Sequence, residues 1–363
     1  MTRIAAILVA QLSIIGCSGF GPRALKFNRN QYNMAMQQTS AQELLMNLVR
    51  LRYRDSPFFL QVASVSANLK LTVGLGASGE IPGGGSNIVS LDGTVAREES
   101  PTMTYTPLQG EQFVKQMLEP VDLDILLILS SSGWSVERAL RLLVQSVNGV
   151  PNAPTASGPT PDHKPKFEQF LRMSHLLRYL QQRGFLDLSA APEGTLGESK
   201  AAGRRIFLLV HPEALDLPET RELVEILGLV PGRQYYEIVE RIGPPDPERI
   251  SVIPRSVTST MFYVSQSVEV PPEDEEEGRV TITRDAAGER FDWSRLTGNL
   301  IRVRSGEKPS GAYVAVEYRD HWFYIEDSDL ESKTTFALLT TVLALQAGGV
   351  PSTGPVLTLP VSR

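Results

Sequence analysis

The sequence predicts an α+β fold, with mixed antiparallel sheets and packed helices in two or three small domains. Three observations carry this reading. Apolar residues switch between helical spacing and strict alternation, and the two patterns come in mixed order along the chain. The chain has 363 residues, 42% of them hydrophobic, which supports real cores at about 150 residues per domain. Its one cysteine excludes internal disulfides, so those cores stand without covalent staples.

Met1–Gly16 is set aside first, as a signal peptide. It opens with Arg3 and runs apolar from Ile4 to Ile15, broken only by Gln11 and Ser13. That is short of the roughly 20 apolar residues of a membrane-spanning helix. It ends in Ile14-Ile15-Gly16-Cys17, which resembles the lipobox read by lipoprotein signal peptidase. The resemblance implies cleavage between Gly16 and Cys17, a diacylglyceryl thioether on Cys17 and an acylated amino group, with fatty acids such as palmitate. Two or more acyl chains anchor stably, whereas one is marginal. Ser18 stands where an aspartate would direct inner-membrane retention, so the cell outer membrane, facing the periplasm, is the expected address. Cleavage of 16 residues leaves 347, and loss of Arg3 takes the net charge from −6 to −7. A mildly acidic chain has no general electrostatic attraction to nucleic acid.

Along the mature chain, residues 17–39 read as the lipidated N-terminus and a tether, with Gly, Pro and Ser concentrated in Ser18–Lys26. An N-terminal α+β domain is expected over 40–150. Ser40-Ala41-Gln42-Glu43 is a capping-box pattern, followed by Leu44, Leu45, Leu48 and Leu51 at helical spacing. Arg50, Arg52 and Arg54 form a basic cluster, read as partly solvated and partly paired. After Pro57 the period becomes two: Asn68–Gly76 and Asn87–Ala96 alternate as strands across the turn-rich Gly79–Asn87, and Met103 and Tyr105 continue in a third. Helices are expected at Gln109–Leu118 and Ser135–Val147, with Asp122–Leu129 a buried helix or strand. Residues 151–165 fall in the Pro- and Gly-rich Asn148–Pro165 and read as a linker or exposed loop.

The middle segment, 166–253, predicts a helix from Phe167 ended by Gly184, strands at Phe185–Leu188 and Arg205–Val210, a helix at Pro218–Leu227 and a strand at Gln234–Arg241. In the C-terminal segment, 254–363, a helix is expected at Ser256–Val268, a solvated acidic loop at Glu273–Glu277, and strands at Arg279–Thr283 and Leu300–Arg304. Tyr313–Tyr318 and Trp322–Ile325 form a hairpin about the turn Arg319-Asp320-His321. Ser328-Asp329-Leu330-Glu331 caps a helix through Leu345, and Pro355–Val361 adds a closing strand.

Candidate chemistry is sparse. Gly74-Leu75-Gly76-Ala77-Ser78-Gly79 matches a dinucleotide fingerprint, but Pro82 and three glycines follow where the phosphate-binding helix must start, so it reads as a turn. His163, His175, His211 and His321 are scattered, and none forms a metal-ligand pair. Asp327, Asp329 and Glu331 imitate the start of a calcium loop, but its glycine is missing and Leu338 stands where its final glutamate belongs. No catalytic residue, metal site or cofactor is assigned; Cys17 is the one site residue, with Gly16 before the cleaved bond.

Leu44–Asp55, Pro101–Glu119, Phe262–Pro271 and Val314–Phe336 with Pro355–Pro360 together resemble a family of uncharacterised bacterial lipoproteins. The resemblance covers most of the mature chain, implies export and anchoring, and supplies no catalytic residue. The favoured function is a non-catalytic scaffold or accessory subunit held at the membrane by its N-terminal lipid and binding another envelope protein. An enzyme acting on envelope polymers is the alternative, and His321 in a cleft with two carboxylates would favour it. A third reading pools the hairpin of Asn68–Gly76 and Asn87–Ala96 from several copies into a barrel, though no Trp or Tyr brackets those strands.

Overall fold

The computed structural model describes residues 20–78, 90–108, 110–159, 161, 163–190, 205–240, 246–347 and 357–360. Cys17, Gly16 and the expected turn at Gly79–Asn87 lie outside the described residues. The fold is α+β. In chain order the elements are α1 (Phe20–Arg52), β1 (Leu60–Ser78), β2 (Ser90–Pro107), α2 (Glu111–Leu118), α3 (Leu123–Ser131), α4 (Val136–Leu143), β3 (Val144–Val147) and β4 (Val150–Pro151). Then come α5 (Glu168–Gln182), β5 (Leu186–Ala190), β6 (Ile206–Val210), α6 (Pro218–Leu227), β7 (Tyr235–Glu240), β8 (Arg249–Pro254) and α7 (Val257–Ser265). The chain continues through α8 (Pro272–Glu276), α9 (Ser294–Thr297), β9 (Arg304–Gly306), β10 (Ala312–Tyr318), β11 (His321–Glu326), α10 (Leu330–Ala347) and β12 (Leu357–Pro360). Among the described residues no helix is long and apolar enough to cross a membrane.

Two compact units result: Met1–Pro57 with Met117–Gly348, and Phe58–Gln116 with Gly349–Arg363. The first holds a six-stranded sheet in the order β4-β3-β8-β7-β6-β5, antiparallel throughout except for the parallel pair β7–β8. Its core faces α3, α4 and α5: Ile206, Leu208 and Val210 are the buried alternate residues of β6, and Leu126, Leu127, Ala139 and Leu177 share an apolar wall with Ile206 and Leu208. A smaller sheet, β10-β11-β9, buries Val314, Val316, Phe323 and Ile325. The second unit is a three-stranded sheet, β1-β2-β12, in which β1 and β2 stay in register from Leu60↔Pro107 to Ser78↔Ser90 with one irregularity at Val62/Ser64.

Several expectations change. The N-terminal helix does not begin at Ser40 after a loose tether; α1 is one 33-residue helix from Phe20. Its Asn30–Ser40 stretch is mostly exposed and burial begins at Ala41, so the leucine periodicity marked where the helix becomes buried, not where it starts. Met34, Ala35, Met36, Gln37 and Gln38 favour helix without any packing, and the Thr39 hydroxyl bonds back to Ala35 O at 2.9 Å. The second and third strands of the N-terminal sheet are one strand, β2. The helix from Ser135 ends at Leu143, and Val144–Val147 turns into β3 through Asn148-Gly149, both at positive φ, into β4. This is the two-residue turn whose twist suits a hairpin.

Residues 151–165 do not join two bodies as an exposed loop. Ala153 and Ala156 are fully buried, because the buried Arg255 guanidinium draws backbone carbonyls inward: Nη1 donates to Arg141 O at 3.0 Å and Val144 O at 2.9 Å, Nη2 to Asn152 O, and Nε to Ser157 Oγ at 2.9 Å. The Pro-rich stretch before Pro254 contains β8, an interior strand. Arg279–Thr283 forms no strand, and of the expected Leu300–Arg304 only Arg304 is strand, as the first residue of the short β9. The acidic run is a helix, α8, in which Asp274 is fully buried. His321 is the first residue of β11, not part of the turn; Arg319 and Asp320 alone make that turn, both at positive φ.

Candidate functional site

The densest polar construction within the first unit grows from the end of α1. Arg54 takes a left-handed conformation at φ 61° and Asp55 N donates to Arg50 O at 2.8 Å, which closes the helix and fans Arg52, Tyr53, Arg54 and Asp55 apart. Arg52 Nη1 donates to Thr281 O at 3.1 Å and Arg54 to Thr281 Oγ1. Tyr53 OH donates to Asp274 at 2.5 Å, and the Asp274 carboxylate also pairs with Arg279 at 2.6 Å. Burial, reinforced by that hydrogen bond to Asp274, pushes the Tyr53 hydroxyl pKa upward. Tyr53 meets Tyr318 and Phe323 edge-on, while Asp55 accepts from Tyr318 OH and from Arg319 at 2.9 Å. The end of α1 thus fastens α8 and the β10–β11 turn to one another.

Beside this joint is a cleft of about 320 Å³, lined by Arg52, Gln266, Glu275, Arg290, Trp293 and Arg302 among others. Its size is at the lower end of small-molecule sites, which run from roughly 300 to 1,000 Å³. Glu275 and Arg290 form a two-bonded pair at 2.6 Å. Burial lowers the Arg52 pKa to about 10, and the Glu275 charge opposes that shift. Arg52 Nε and Gln266 Oε1 are buried without a hydrogen bond. Gln266 Nε2 donates to Phe262 O at 3.3 Å, which fixes the amide. The lining offers charge and hydrogen-bond donors, the chemistry of recognising a polar group, and brings no histidine beside a hydroxyl. A second cavity, of about 60 Å³, is walled by apolar residues of α3, α4 and the six-stranded sheet and is a packing void.

No family model, curated protein or solved structure matches the chain. The four histidines are not brought together. His175 pairs with Glu137 at 3.1 Å, His211 with Asp187 at 2.9 Å and His321 with Glu273 at 3.5 Å. His163 forms an isolated backbone bridge with Arg284. Asp327 pairs with Lys333 at 2.7 Å, and Asp329 caps α10 by accepting from Ser332 N at 3.0 Å. Asp329, not Ser328, supplies the cap. Among the described residues no group of three His, Cys, Asp or Glu side chains could hold a metal.

Gly74–Ser78 is strand, not turn, as the pairing Gly74↔Thr94 to Ser78↔Ser90 requires; Gly79 lies outside the described residues. The arginine cluster is the place where sequence reasoning fell short. Arg54 is exposed, but Arg52 is buried, a difference of half a helical turn that spacing alone did not rank. A signal existed: Arg52 continues the buried line of Leu45, Leu48 and Val49 at intervals of three and four.

Proposed function

We propose that the chain is a bacterial envelope lipoprotein, anchored through lipid on Cys17 at the periplasmic face of the outer membrane, that serves as a non-catalytic scaffold or accessory subunit for another envelope protein. The observation that supports it most is the form of α1. Phe20 follows Cys17 by three residues, and the helix is mostly exposed over Asn30–Ser40 before burial sets in at Ala41. At about 1.5 Å per residue, the exposed Asn30–Ser40 stretch alone makes a stalk about 16 Å long. A stiff stalk beside a lipid site suits a part that holds its body at a set distance from the membrane. An enzyme centred on His321 has less support, since among the described residues that histidine is paired with one carboxylate, Glu273, and the hairpin beneath it is closed by Val314, Val316, Phe323 and Ile325.

Cys17→Ser tests the anchor. The substitution removes the atom that accepts lipid and lies ahead of the stalk, so the expected result is an intact fold that leaves the membrane fraction and retains Met1–Gly16. Fractionation and mass spectrometry of the N-terminus read both. A Ser18 form behind an ordinary secretory signal that still pellets after high-salt and carbonate washing overturns the anchor. Crosslinking in native membranes followed by purification tests the scaffold role, with one stoichiometric envelope complex as the expected product.

A further inference from the structure

The register of β1 against β2 separates the hairpin into two chemically different faces. Directly opposed residues in an antiparallel pair share a face. Val73↔Val95 and Ala77↔Leu91 therefore lie on one face, together with Leu71 and Leu75. Thr72↔Ala96, Gly74↔Thr94 and Gly76↔Asp92 lie on the other. One face of the distal half is apolar and its reverse is small and polar. Where the distal half ends, Lys70↔Glu98 on the polar face and Arg97 and Glu99 on the apolar one put four charges within three adjacent rungs.

The third strand does not reach this region. β12 pairs with β2 only from Thr102 to Tyr105, beside Pro101, which has no amide to donate. Among the described residues the distal half is two-stranded, with both outer edges open. Such a ribbon is marginal in water, and its open edges invite pairing.

We propose that Leu69–Ser78 and Ser90–Glu99 insert into a lipid bilayer as one stave of a β-barrel assembled from several copies of this chain, with the apolar face toward the acyl chains and the charged rungs at the headgroups. Each strand segment has ten residues, and a tilted membrane strand needs about 9 to 11. Ten residues at about 3.3 Å and a tilt near 40° rise about 25 Å, of which the seven beyond the charged rungs span about 18 Å, against an apolar band of about 25 Å in a membrane barrel. Lipid admits no open sheet edge, so insertion requires closure by further copies. Rotational symmetry sets β1 of one copy beside β2 of the next, antiparallel, which repeats the pairing inside each hairpin. With two strands per copy, the smallest membrane barrels, of about 8 strands, need about four copies. The inference takes its membrane address from the lipoprotein reading and adds a pore.

The test exploits the single cysteine: once Cys17 is acylated, an introduced cysteine is the only free thiol. Full-length lipidated protein carrying Thr72→Cys, Thr94→Cys, Val73→Cys or Val95→Cys is reconstituted into phosphatidylethanolamine/phosphatidylglycerol vesicles and treated with a membrane-impermeant maleimide. The expected result is labelling at 72 and 94 at least tenfold faster than at 73 and 95. A fluorophore at 73 or 95 should be quenched by brominated acyl chains, and planar bilayers should show discrete conductance steps. Equal labelling at all four positions, in protein that stays on the vesicles through its lipid, overturns insertion and leaves the anchor standing. Slow labelling at 73 and 95 without bromine quenching overturns lipid as the occupant in favour of protein. A lipidated monomer without conductance overturns the barrel, and a protein that fails to join the vesicles overturns both readings.

Discussion

At the scale of residues, Arg255 shows how one cation organises polar backbone without a carboxylate. Its ring contact with Tyr263, 4.1 Å from the centroid, and its bonds to carbonyls replace the anion that a buried charge usually requires. Burial lowers its pKa to about 10, so it stays charged at neutral pH at some cost in folding energy. Removing it relieves that cost but takes the side-chain donor from Asn152 O and leaves Leu142 O only the long 3.4 Å bond from Thr260 Oγ1, while Asn152 Nδ2 still serves Arg141 O and Val144 O. The loss at these carbonyls outweighs the relief, so Arg255→Met should destabilise the first unit by about 2–4 kcal/mol. Arg255→Lys should recover less than half, since an ammonium cannot span the same fork of acceptors. Urea unfolding reads both through the shift in midpoint at constant slope.

Among the elements, the buried loop after β3 separates two kinds of glycine. Gly149 has φ +78° and an added Cβ would meet nothing within 4 Å, so Gly149→Ala pays only for left-handed backbone. About 1–2 kcal/mol should be lost. Gly158 is equally open but extended, at φ −142° and ψ −180°. There alanine only restricts the unfolded chain, and Gly158→Ala should stabilise by about 0.4–1 kcal/mol. Opposite signs from two substitutions nine residues apart, measured in the same urea titration, would show that the backbone and not the space sets the cost; two losses of equal size would refute it. Asn148-Gly149 was legible as a hairpin turn, yet the helical spacing of Leu140, Leu143, Val144 and Val147 masked it, because the apolar run passes from helix to strand without a break.

For the whole molecule, the three tryptophans give a clean probe. Trp134, Trp293 and Trp322 all lie in the first unit, so tryptophan fluorescence reports on that unit alone. The first unit has its own sheets and its own buried core. Replacing Leu69–Glu99 with Asn-Gly keeps the proximal strands and β12 and should leave the fluorescence melting temperature within about 2 °C, since 1 kcal/mol shifts a domain of this size by about 2–4 °C. A drop beyond about 5 °C would mean that the distal hairpin supports that unit.

The sequence alone determined the α+β class, the leucine face of α1, the exact span of α6, the pairing of β10 with β11 and the existence of a closing strand. Each of these is local: periodicity, a cap or a short turn encodes it within a few residues. Tertiary structure alone decided that Arg52, Asp274 and Arg255 are buried, since a charge goes inside only when distant segments bring it partners, and these come from residues 281, 53 and 141–157. It also decided that the last strand lies against β2 and not in the six-stranded sheet. That choice is a long-range pairing between Leu357–Pro360 and Thr102–Tyr105, and no local pattern of alternation can name its partner.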